Sequence, residues 1–178
     1  MGTDKLPLSL RFYGISPWEQ EVIYSLFHSL FKVEEHVEEI QDDVEFTTMV
    51  EIIFPLAFND AFFKWFGSPR WEKTKAILKE LKRRRGGGKT LLIHAKFIGK
   101  PSIKFTLDIE DRSHFDSAVE KIDFVRELLQ YHLDPTKMPS NITEITYYFD
   151  DKAERWNINS ATSENDTYRF IQNEWKIT

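Results

Sequence analysis

The chain has 178 residues, 41% hydrophobic and 30% charged, a balance that specifies a packed core and excludes a disordered polymer. Its net charge of −5 disfavours a general nucleic-acid binder, because phosphate affinity comes from clustered Lys and Arg. No cysteine is present, which excludes disulfides, thiolate zinc sites, iron–sulfur clusters and Cys nucleophiles.

Fifteen Phe and five Trp mean that large rings dominate the packing. The opening MGTDKLPLSLRFYG lacks the basic start and apolar run of a signal peptide. The most apolar stretch, residues 49–66, is broken by Glu51, Asn59, Asp60 and Lys64, too interrupted for a span of about 20 apolar residues. No membrane and a cytoplasmic setting are expected.

Residues 6–13 alternate weakly and predict a first strand. Ser16, Pro17 and Glu19 then form a helix start, with a cap, a proline at the first position and a capping box. Trp18, Val22, Ile23, Leu26, Phe27, Leu30 and Phe31 follow at helical spacing and should face inward. Val33–Ile40 fits either a helix continuation or a strand, and strand is preferred. Phe46–Phe66 predicts a second helix, apolar nearly all round and kinked near Pro55, as the central buried element. A third helix should open at Ser68-Pro69 and end in Lys82, Arg83, Arg84 and Arg85 before Gly86, cations and glycine suiting a helix C-terminus.

From Thr90 the period changes to two. Leu91, Ile93, Ala95 and Phe97, then Ile103, Phe105, Leu107 and Ile109, predict an antiparallel hairpin with one buried face. Ser113 and Asp116 begin another amphipathic helix, with Phe115, Val119, Ile122, Val125, Leu129 and Leu133 inward, ending at Asp134-Pro135. Two stretches, 146–158 and 167–177, share Thr-Tyr-x-Phe followed by Trp-x-Ile and read as short strands. The second also fits a helix, and strand is kept.

GGGKT at residues 86–90 invites comparison with a phosphate-binding loop. That motif needs a strand, G-x-x-x-x-G-K-[ST] and then a helix. Here Arg83 takes the place of the first glycine and the order is reversed, so the glycines end a helix. The cations Arg83, Arg84, Arg85 and Lys89 remain available to an acidic partner or a nucleic-acid backbone. His36 lies among Glu34, Glu35, Glu38 and Glu39, a conceivable divalent-cation site, although acidic runs are usually solvated. Glu174-Trp175-Lys176 with Asp150 or Asp151 has the residue types of a metal-dependent nuclease. The pair Asp108 and Glu110 could do acid–base work, but sits at the junction before a helix. No catalytic, cofactor-binding or metal-ligating set is assigned.

Together these readings predict an α+β fold over residues 1–178, with helices on one face of a largely antiparallel sheet and a C-terminal β-meander. The weakest seam is 134–142. The expected function is a non-catalytic protein-interaction or adaptor module, binding a protein partner or a second copy. The expected patch comprises Arg83, Arg84, Arg85, Lys89, Trp156, Tyr168 and Trp175. A nucleic-acid-associated protein and a metal-dependent hydrolase or nuclease are the alternatives.

Overall fold

The computed structural model describes residues 5–37, 48–85 and 91–178. Its strands are β1 (Leu6–Tyr13), β2 (Phe31–Val37), β3 (Thr48–Phe54), β4 (Leu91–Phe97), β5 (Ser102–Leu107), β6 (Glu144–Asp150), β7 (Arg155–Thr162), β8 (Thr167–Ile171) and β9 (Glu174–Ile177). The helices are α1 (Pro17–His28), α2 (Asp60–Phe66), α3 (Ser68–Arg85), α4 (Arg112–Glu120) and α5 (Leu129–His132), the last preceded by a 3-10 segment, Asp123–Leu128. One mostly antiparallel sheet runs in the order β2-β1-β3-β4-β5-β6-β7-β8-β9. The fold is α+β, with a C-terminal meander as expected.

Strand alternation puts Leu8, Leu10, Val50, Ile52, Ile93, Ala95, Phe105 and Tyr147 on one buried face. The helices contribute Phe27, Phe66, Leu78, Phe115 and Val119 to the same core. Helices therefore cover one face, and the other carries the polar residues of the alternation. Three parallel pairs, β1–β2, β3–β4 and β5–β6, are each joined by a helical crossover. Strand directions and steps give the first two crossovers one hand and the third the opposite hand. The three crossovers therefore do not share a single hand, and the third runs through the long connection from Asp108 to Thr143.

Helix α1 starts as its sequence requires. Ser16 Oγ accepts from the Glu19 N–H at 3.3 Å, and Glu19 Oε2 accepts from the Ser16 N–H at 3.3 Å. Ser16→Ala should cost about 1 kcal/mol through loss of this cap, measurable as a lower midpoint in urea with unchanged m-value. The inward face is narrower than predicted. Ile23 and Phe27 are buried, Leu26 is partly buried, and Trp18 stands 77% exposed. Phe31 is buried from β2, because the helix ends at His28.

The predicted helix over residues 46–66 is corrected. Thr48–Phe54 is the strand β3, central in the sheet, with β1 antiparallel on one side and β4 parallel on the other. Val50, Ile52 and Phe54 face the core while Met49, Glu51 and Ile53 face away. Pro55 follows the strand, and Asn59 caps α2 by accepting from the Phe62 N–H at 2.9 Å. Phe46 and Thr47 lie outside the described residues.

Two helix starts shift slightly. Gly67, at φ 83, closes α2, and its carbonyl accepts from Trp71 N–H, so Gly67 rather than Ser68 precedes α3. Only glycine takes that φ without strain. Asp111, not Ser113, caps α4, accepting from the His114 N–H at 2.9 Å. Helix α3 is pinned to α4 by Lys75, almost buried, whose Nζ reaches Glu120 at 2.8 Å and Glu72 at 2.7 Å. Lys79 reaches the same Glu120 carboxylate. Gly86, the expected cap of α3, lies outside the described residues.

Candidate functional site

The described residues of the expected patch have different surroundings. Arg83 donates to Glu80 from Nε at 2.7 Å and Nη2 at 2.6 Å, and Arg84 Nε donates to the same carboxylate at 3.0 Å. The hydrogen bond from Arg83, with the charges of Arg83 and Arg84, holds the Glu80 carboxyl down to about 2. Arg85 turns away from them, its Nε 3.4 Å from Glu19 Oε1. Lys89 lies outside the described residues. Trp156 is only 4% exposed, its indole N–H donating to the Ala118 carbonyl at 2.9 Å. It is a core ring, edge-on to Phe105 at 5.2 Å. Tyr168 and Trp175 are half-buried, with Trp175 5.0 Å from Phe170.

On this half of the molecule the outward rings are Phe124, Tyr131 and Tyr148. Between β6 and β7 the register shifts, from Thr146 opposite Ser160 to Tyr147 opposite Ile158, which leaves Asn159 as an extra residue. Such a bulge bends its strand and re-aims it. Beyond it β8 no longer follows β7: they pair only over Ser160–Thr162. Among the described residues the outer edge of Arg155–Ile158 has no neighbouring strand, and a groove of about 730 Å³ opens there. It is lined by Phe124 and Leu128 of the 3-10 segment, by Asn157 and Ile158 of β7, and by Phe170, Gln172 and Asn173 from the β8–β9 hairpin. Phe124 is 59% exposed, and Leu128, Tyr131 and Tyr148 are also exposed. Glu154, Gln172 and Asn173, all in the left-handed region, make the two hairpin turns at its ends.

Charges around the groove leave one cation over. Lys121 Nζ donates to the Glu154 carbonyl at 2.8 Å and sits near its carboxylate. Arg155 is exposed and has no ion pair among the described residues. His132 shares a 2.9 Å hydrogen bond with the Tyr147 hydroxyl. Burial pushes the His132 imidazole down and the Tyr147 phenol up, so both are neutral near pH 7. Neither offers a charge to a substrate.

Other sequence candidates stay apart. Asp150 uses Oδ1 to accept from the Lys152 and Ala153 N–H groups, both at 3.0 Å, which shapes a turn. Glu174 and Lys176 lie on β9, with β7 and β8 between them and Asp150. A nuclease centre needs acid and tripeptide on neighbouring strands, and these are not neighbours. His36 and Glu34 are exposed on β2; Glu38 and Glu39 lie outside the described residues. Among the described residues no cluster of His, Asp and Glu is placed to hold a metal ion. Asp108 and Glu110 are exposed in the turn before α4.

The uncovered sheet face is polar and internally paired. Glu144 receives Lys96 at 2.9 Å and Lys104 at 3.0 Å. Burial alone would raise its carboxyl, yet the two lysines hold it below the ordinary value. Comparison with protein-family models, curated proteins and solved structures gives no match. Geometry therefore has to carry the functional argument alone. The groove could not be read from the sequence, because its lining residues Phe124 and Phe170 come from distant parts of the chain.

Proposed function

We propose that the protein is a non-catalytic interaction module that holds an extended segment of a protein partner in the groove beside β7. The observation that carries this reading is the separation of β8 from β7 beyond Ser160. An unpaired strand edge presents backbone N–H and C=O groups that an added strand satisfies, while flanking pockets select side chains. Phe124 and Leu128 supply the apolar anchor, and Arg155, without an ion pair among the described residues, favours an acidic residue in the segment. The setting of the proposal is cytoplasmic, and no described helix is long and apolar enough to cross a membrane.

Nothing comparable favours the nucleic-acid alternative. Arg83 and Arg84 are answered by Glu80 within their own helix, and salt-linked phosphate binding needs free cations.

Affinity capture from the native host tests the proposal. Phe124→Asp should weaken recovery of a discrete partner by about tenfold or more, the effect of removing an aromatic anchor. Its melting temperature should barely change, because the ring is already exposed. Undiminished capture by the variant would contradict the assignment. Concentration-dependent sedimentation of the pure chain, lost in the same variant, would identify the partner as a second copy.

A further inference from the structure

A second cavity, remote in sequence from the groove and independent of it, lies where the start of α1, the end of α3 and the start of β4 meet. It measures about 210 Å³, and Ile15, Trp18, Val22, Leu81 and Leu91 give it apolar walls. Arg85 lines this apolar setting and leaves a donor unused: its Nη2 is buried with no hydrogen-bond partner among the described residues. Its one ion pair among the described residues is the 3.4 Å contact from Nε to Glu19. Glu19 cannot follow the guanidinium further, because its other oxygen accepts from the Ser16 hydroxyl at 3.0 Å and closes the helix cap. A buried donor without an acceptor is costly, and more so on a charged group.

We infer that this cavity binds a small aromatic carboxylate, with its ring among Trp18, Leu81 and Leu91 and its carboxylate on Arg85. The acceptor missing from Arg85 is supplied by the acid, in the bidentate or single charged hydrogen bond that guanidinium favours. The volume sets the size. A dry cavity of about 150 Å³ accommodates benzene, so the larger space here fits a ring with a short acidic side chain. Trp18, left 77% exposed by the fold, gains a covering partner.

Calorimetric and thermal-shift titration of the full chain with phenylacetate and with its neutral amide, phenylacetamide, tests the assignment. Phenylacetate should bind, raise the melting temperature and perturb Trp18, while the amide binds about tenfold more weakly, the loss of one charged hydrogen bond. Arg85→Gln should erase the preference for the acid. Glu19→Gln breaks the same ion pair but leaves the guanidinium, and should bind phenylacetate at least as tightly as the unaltered protein. Equal binding of acid and amide, binding of neither at millimolar concentration, or an acid preference that survives Arg85→Gln would each overturn the inference. Loss of acid binding in Glu19→Gln would also overturn it, since the ion pair and not the free donor would then be what matters.

Discussion

Phe97→Ala is expected to destabilise the protein by about 3–5 kcal/mol, the usual cost of removing a fully enclosed ring. Phe97 has no exposed surface and closes β4 in register with Phe54 of β3. Its ring stacks on Phe54 at 4.4 Å and meets Phe58 at 5.0 Å and Phe62 at 5.4 Å edge-on. Phe105 of the next strand lies 6.3 Å away and Trp71 of α3 lies 6.5 Å away. Four elements thus lose a shared contact at once, and rigid neighbouring rings cannot collapse into the space. Chemical denaturation with both fluorescence and circular dichroism checks the figure. A cost near that of an exposed site would mean that the aromatic cluster is not the centre of the core.

A second large effect is expected in acid. Burial, helped by the charge of Lys104, pushes the His94 imidazole down to about 4 in the folded protein. Its ring faces Thr106 Oγ1 at 3.2 Å on the otherwise polar sheet face, with Lys104, Glu144 and Asp108 as the surrounding charges. Because the folded value is depressed, the unfolded chain takes up the proton first. The contribution is fully present above about pH 6.5 and is lost as pH falls toward 4, amounting to about 3 kcal/mol at 1.36 kcal/mol per unit. His132, also depressed by burial, loses stability in the same direction. Carboxylates add their own acid dependence, so the diagnostic quantity is a difference. His94→Gln should flatten the stability–pH curve between pH 6.5 and 4 relative to the unaltered protein. Parallel curves would show that His94 is no source of the slope.

Much of the architecture was legible because strands with one wet face alternate. Leu91–Phe97 and Ser102–Leu107 show that alternation directly, and both form the predicted hairpin. The start of α1 was equally plain, since its capping box is a local hydrogen-bond pattern written in three residues. Residues 48–54 were misread for a physical reason. The run Met-Val-Glu-Ile-Ile-Phe is flanked by strands on both sides, and Met49 and Ile53 on its second face blur the alternation that marks a strand. The β-branched residues Thr48, Val50, Ile52 and Ile53 were the available clue.

Site geometry was far less legible. Trp156 was expected at a surface because the rings of short terminal strands cannot all point inward if the meander has one wet face, yet Ala118, distant in the chain, accepts its N–H inside the core. Phe124 falls outside the inward set Ile122, Val125 and Leu129, as it does in the structure, but helical spacing does not say what an outward ring faces. The free edge of β7 depends on one extra residue, Asn159, and on where β8 departs. Arg85 looked like one more cation in a solvated run; only folding against Glu19 and the walls of its cavity sets it apart from Arg83 and Arg84.

Site-specific photo-crosslinking in the native host tests the central claim, that the groove beside β7 holds a partner segment. A photoreactive phenylalanine in place of Phe124 reports on the groove wall. The same residue in place of Trp65, an exposed ring outside the groove, reports on ordinary surface. Crosslinking from position 124 to one discrete polypeptide, with the attached peptide mapping to a segment that slows hydrogen exchange at Arg155–Ile158, is the predicted result. Crosslinks that favour position 65, or a captured polypeptide that leaves exchange at Arg155–Ile158 unchanged, would contradict it.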